Sequence, residues 1–92
     1  MRIIGEVPHA IYKITLLHMN ARVSIQIEHG AQVQLYKFRD GDVVTDAASA
    51  VLYCDDEFFQ KVDQVFKLMN LNQVESTTRL LDKQDLEFEE II

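Results

Sequence analysis

Val23, Ile25 and Ile27 alternate strictly with Arg22, Ser24, Gln26 and Glu28. A two-residue period is that of a strand with one buried face. Just upstream, Tyr12, Ile14 and Leu16 alternate with Lys13 and Thr15. Pairing Leu16 with Ile25 also sets Ile14 opposite Ile27 and His18 opposite Val23. It places Lys13 opposite Glu28 and Thr15 opposite Gln26 on the other face. The same register leaves Asn20-Ala21 as a two-residue turn, with Asn tolerating a positive φ. Faces, charges and turn agree, so an antiparallel hairpin is expected here.

A third long strand is expected over residues 32–39, after a turn at Gly30. Its register is open. Val33 and Leu35 share one parity, Tyr36 and Phe38 the other. A two-residue turn between His29 and Gln32 turns Tyr36 and Phe38 inward, a three-residue loop turns Val33 and Leu35 inward, and a bulge near residue 35 would serve both. A first strand over residues 2–7 ends before Pro8, which cannot donate to a ladder. Asp40-Gly41-Asp42 closes the strand half.

The period then changes. Residues 46–53, rich in alanine, predict a short helix capped by Thr45 or Asp46. Asp55-Asp56-Glu57 opens a second one, with acids at the positive end of the helix dipole. Phe58, Phe59, Val62, Val65, Phe66 and Met69 form its apolar stripe, more simply a lid on the domain's own sheet than a partner-binding surface. Asn70 is placed to cap it in the left-handed conformation, with Leu71 the apolar contact beyond. Asn72 and Glu75 suggest a capping box and a further helix over residues 73–82. The expected fold is α+β: an antiparallel meander of three to four strands (residues 2–39) packed against one or two helices (about 46–53 and 56–69). Residues 1–71 are expected to form the domain and 72–92 an acidic C-terminal extension, helical in part.

Length and composition set the class. The chain has 92 residues, 48% hydrophobic and 26% charged, which is ordinary for one globular domain. The net charge of −6 is unevenly spread. Residues 1–39 hold five bases and two acids, whereas residues 40–92 hold four bases and thirteen acids. Mutual neutralisation of the halves is the simpler reading, because a net negative protein is repelled at long range by phosphate. Cys54 is the one cysteine, so no intramolecular disulfide forms. With no leader-like or membrane-spanning run, a cytoplasmic protein is expected.

No catalytic constellation stands out. His9, His18 and His29 are spaced nine and eleven residues apart, which fits no short metal-ligand motif. Asp55 and Asp56 disfavour a thiolate at Cys54. The paired acids Asp40/Asp42, Asp55/Asp56 and Glu89/Glu90 fall where water reaches them, away from the apolar pocket general acid–base work needs. The isolated glycines 5, 30 and 41 make no phosphate loop. No cofactor is implied. Tyr36-Lys37-Phe38-Arg39 interleaves aromatics with bases as single-strand binders do, but strand alternation sends the two kinds to opposite faces.

The leading expectation is therefore a non-catalytic protein-interaction or assembly module, a homodimer or a binder of another protein. One alternative is a small-molecule-binding protein or enzyme using His18 or His29 with Tyr12. Another is a weak single-stranded nucleic-acid binder using Arg22, Lys37 and Arg39. Residues 85–92 join four acids to the apolar Leu86, Phe88, Ile91 and Ile92. This tail is expected either to dock on the basic strand half, in its own chain or in a second copy, or to be a flexible solubilising end.

Overall fold

A computed structural model of the chain describes residues 1–39 and 41–91, with side-chain surroundings given as far as residue 84. The chain divides into two compact units, Met1–Phe59 and Gln60–Ile92.

The first unit is built on an antiparallel meander in the order β1-β2-β3-β4. The strands are β1 (Arg2–Val7), β2 (Lys13–Met19), β3 (Arg22–His29) and β4 (Gln32–Lys37). Between β2 and β3 the register is the expected one, with Leu16 opposite Ile25, Ile14 opposite Ile27, His18 opposite Val23 and Lys13 opposite Glu28. Asn20 and Ala21 both have positive φ, 54° and 62°, the pattern of a type I′ turn. Between β3 and β4 the two-residue alternative holds. His29 pairs with Gln32 around Gly30, whose φ is 59°, and Ile25 pairs with Tyr36.

One face of the sheet carries most of the core, with Leu17 and Thr15 buried on the other face of β2. Ile14, Leu16, Val23, Ile25 and Ile27 are all but fully buried. On β4 the inward positions are Gln32, Gln34 and Tyr36, while Val33 and Leu35 face out and are exposed. Gln34 stays inside because its Oε1 accepts a hydrogen bond from the Tyr36 hydroxyl. The ladder irregularity lies in β1, between Ile3 and Gly5, rather than near residue 35.

Helix α1 (Ala47–Tyr53) starts at Asp46, whose side chain accepts from the Ser49 backbone N–H at 2.8 Å while Ser49 Oγ accepts from the Asp46 N–H at 3.1 Å. The Ser49 N–H, together with the Ser49 hydroxyl that donates to Asp46 Oδ1 at 2.8 Å, holds the Asp46 carboxyl below its ordinary pKa. Of the two capping candidates, Asp46 does the work. Helix α2 opens at Asp56, and the Asp55 side chain accepts from the Phe58 N–H at 2.8 Å. Phe58 lies edge-on to Tyr36 at 5.2 Å and to Tyr53 at 5.4 Å. The helix start thus packs on the inward rings of the sheet.

Helix α2 does not stop near residue 69. It runs unbroken from Asp56 to Ile91. Asn70 is an interior helical residue rather than a left-handed cap, and Asn72 begins no second helix. Its Oδ1 instead accepts from the Ser76 hydroxyl at 3.0 Å, one turn on. The surrounding leucines, valine, glutamate and arginine are compatible with helix, and two asparagines cost too little to break it. In the second unit Val62 and Phe66 are buried, whereas Val65, expected in the core, is 38% exposed.

Candidate interaction surfaces

The basic side chains singled out from the sequence, Arg22, Lys37 and Arg39, line one cleft of about 570 Å³ together with Met19, Ser24 and Phe38. Its construction follows from the register. Met19 faces Arg22 across the β2–β3 turn, and Ser24 faces Lys37 across β3–β4, all on the face away from the core. Phe38 extends the ladder past β4 by donating its N–H to the Val23 carbonyl at 3.0 Å. Arg39 is fixed by a reciprocal pair of bonds. Its N–H donates to Asp42 Oδ2 at 2.7 Å, and the Asp42 N–H donates back to the Arg39 carbonyl at 3.1 Å.

Strand alternation was expected to keep the bases of Tyr36-Lys37-Phe38-Arg39 away from its aromatics. Tyr36 obeys, turning inward to Phe58. Phe38 obeys too: it continues the ladder opposite the buried Val23, and Lys37 and Arg39 on either side of it are exposed. Its ring lies edge-on to Tyr53 at 5.0 Å, in the same cluster as Phe58 and Tyr36. Among the described residues lining the cleft, three are bases and none is acidic. Such a lining attracts an anion, and Met19 adds apolar contact beside it. Leu86, Phe88 and Ile91 fall on α2, but their side chains lie outside the described residues, and so does Ile92.

A second surface lies along α2. From residue 70 to residue 84 every side chain but that of Ser76 is exposed. Leu71, Val74, Thr78 and Leu81 recur at intervals of three and four and so share one helix face. Leu71 is 52%, Val74 65% and Leu81 55% exposed. Thr78 does not interrupt this face with an unmet hydroxyl, because its Oγ1 donates to the Val74 carbonyl at 2.9 Å. The stripe was hidden by reading Asn70 and Asn72 as helix ends. Its spacing was present in the sequence.

The histidines converge on no ion. His18 stands opposite Val23 at one end of the hairpin, and His29 meets Tyr12 edge-on at 5.4 Å at the other. His9 has a structural task that its place in the sequence did not reveal. Its Nδ1 accepts from the Ile11 and Tyr12 backbone N–H groups at 3.1 and 3.2 Å, and its ring lies against Tyr12 and Phe59. Among the described residues no group of three or more His, Cys, Asp or Glu could hold a metal ion. Cys54 is half-buried, and burial together with the adjacent Asp55 pushes its thiol pKa up to about 11. A thiol so shifted is a poor nucleophile at neutral pH.

Among the described residues no helix is long and apolar enough to cross a membrane. Comparison of the chain with known protein families, with curated proteins and with solved structures finds no match.

Proposed function

We propose that this chain is a non-catalytic assembly module that pairs with a second copy of itself through the exposed stripe of α2. The observation behind this reading is the stretch from residue 70 to residue 84, helical throughout and almost wholly exposed, with Leu71, Val74 and Leu81 on one face. Protein helices owe most of their stability to packing of an apolar face. A row of exposed leucine and valine on such a helix is the form that a helix–helix contact takes.

Charge argues for a second copy set antiparallel. Residues 60–74 hold two bases, Lys61 and Lys67, and one acid, Asp63. Residues 75–92 hold two bases, Arg79 and Lys83, and six acids, Glu75, Asp82, Asp85, Glu87, Glu89 and Glu90. Parallel pairing would set the two acidic ends side by side. Antiparallel pairing sets each against the other copy's mildly basic half and opposes the helix dipoles favourably.

Amide hydrogen exchange at two protein concentrations tests the reading. Amides of residues 70–84 should be protected at high concentration and exchange faster on dilution below the dissociation constant, while those of β2 and β3 stay protected at both. Protection of residues 70–84 that is independent of concentration would show that the helix needs no partner.

A further inference from the structure

We infer that the free edge of β4 is a second self-association surface, on which β4 of another copy pairs antiparallel and joins the two sheets into one. The meander has two edges, β1 and β4. An unpaired edge is a template for another strand, and proteins blunt it with charge, proline or a bulge. β1 carries all three: Arg2 and Glu6 within the strand, the irregularity between Ile3 and Gly5, and Pro8 just beyond its end. β4 is not blunted in this way. From Gln32 to Tyr36 it is uncharged and keeps an unbroken register with β3, and a base enters only at its last residue, Lys37.

The phase of the ladder shows what this edge offers. The Phe38 N–H donates to the Val23 carbonyl at 3.0 Å. Bonded and non-bonded pairs alternate along an antiparallel ladder. Gln32, Gln34 and Tyr36 therefore bond β3, while Val33 and Leu35 turn their N–H and C=O groups away from it. Among the described residues no other backbone group meets Val33 or Leu35 on that side. Their side chains stand beside the edge on the sheet face away from the core, 46% and 48% exposed.

A second β4 satisfies both the backbone groups and the side chains. With a two-fold axis at Gln34, Val33 of each copy stands opposite Leu35 of the other. Both pairs are then of the bonded type, so about four backbone hydrogen bonds form across the joint, and valine packs on leucine twice. The two Lys37 residues, three positions to either side of the axis, stay about 20 Å apart. An axis at Leu35 instead would set Val33 against Lys37 and keep a single apolar pair. The edge is thus complementary to itself, which is what a two-fold contact requires. This contact does not rest on the α2 pairing. Its apolar side chains are fewer and less exposed than those of the α2 stripe, so it forms at higher concentration and joins paired copies into larger assemblies.

Sedimentation velocity on the full chain, carried up to millimolar concentration, reads the assembly. The parent should pass from about twice the monomer mass to larger species, whereas Leu35→Lys, which puts a charge at the middle of the edge, should stop at the dimer with its circular dichroism unchanged. If the α2 pairing fails, the parent should instead pass from monomer to dimer and Leu35→Lys should stay monomeric. A parent that gains no mass with concentration beyond the α2 contact would overturn the inference and leave the edge to a strand of another protein, and so would a Leu35→Lys chain that assembles like the parent. Cysteine pairs read the register in a Cys54→Ala background. Chains carrying Val33→Cys and Leu35→Cys, mixed one to one at millimolar concentration, should oxidise to a cross-linked dimer, because bonded pairs hold their Cα atoms about 5.5 Å apart. Leu35→Cys alone should cross-link poorly, its two copies being diagonal neighbours at about 7–8 Å. Efficient cross-linking of Leu35→Cys alone would overturn the axis at Gln34, and cross-linking in neither sample would overturn the edge contact.

Discussion

Ile25 and Leu35 lie on neighbouring strands with opposite parity, and the β3–β4 register makes their truncation very unequal. Ile25 faces the core and is 0% exposed, whereas Leu35 faces out opposite Gln26 and is 48% exposed. Ile25→Ala removes three buried carbons, about 2.4 kcal/mol of transfer free energy at ~0.8 kcal/mol each, and leaves a cavity besides. A loss of about 2–5 kcal/mol is expected. Leu35→Ala removes as many carbons from a side chain already half in water and leaves no cavity, so it should cost about 1 kcal/mol or less. Urea unfolding followed by far-ultraviolet circular dichroism measures both, at one fixed protein concentration because association stabilises by mass action. Equal costs for the two variants, or a larger one for Leu35→Ala, would refute the register and revive the three-residue loop that turns Val33 and Leu35 inward.

Ala21→Gly should stabilise the chain by about 0.5–1 kcal/mol, because alanine sits at φ 62° in a turn whose preferred second residue is glycine; a melting temperature that falls instead would show that the turn is unstrained. His9→Phe keeps the ring against Tyr12 and Phe59 but removes the acceptor for two backbone N–H groups, and should cost about 1–3 kcal/mol in the same unfolding assay; an unchanged stability would show that water replaces the imidazole nitrogen freely. The folded state holds the Cys54 proton to about pH 11, above the value for an exposed thiol, so it binds more protons than the unfolded chain between roughly pH 9 and 11. Stability should fall as pH rises through that window, the fall should be smaller in Cys54→Ala, and reaction with a thiol-disulfide reagent at pH 8 should be about a hundredfold slower than for free cysteine; reaction at the free rate would show that the thiol is not sheltered.

The hairpin was legible because three independent signals agreed on one register: the alternation of Tyr12, Ile14 and Leu16 with Val23, Ile25 and Ile27, the Lys13–Glu28 pairing, and the Asn20 turn. The register of β4 was not legible, since its inward positions are the polar Gln32 and Gln34 and its outward ones the apolar Val33 and Leu35. Buried glutamine is stable only with its hydrogen bonds made, and the Tyr36 hydroxyl that serves Gln34 is known only once the strand is placed. The length of α2 was misjudged for a different reason. Asn70 and Asn72 favour helix ends, but a local preference of tenths of a kcal/mol does not stop a helix whose other residues continue it. The cleft was half legible: its three bases were singled out from the sequence, while their meeting with Met19 and Ser24 depended on the register of β3 and β4.

Self-association through α2 is the central claim, and molar mass by size-exclusion chromatography with light scattering tests it most directly. The parent is compared with the variant Leu71→Gln/Val74→Gln/Leu81→Gln, in which glutamine preserves helix propensity and removes the apolar stripe. Three exposed apolar side chains buried in the contact, at about 1–2 kcal/mol each, suffice to move a micromolar dimer out of range when lost. The parent should elute with about twice the monomer mass of 10.7 kDa, and the variant with the monomer mass itself. A parent that stays at the monomer mass up to millimolar concentration, or a variant that remains a dimer, would contradict the account.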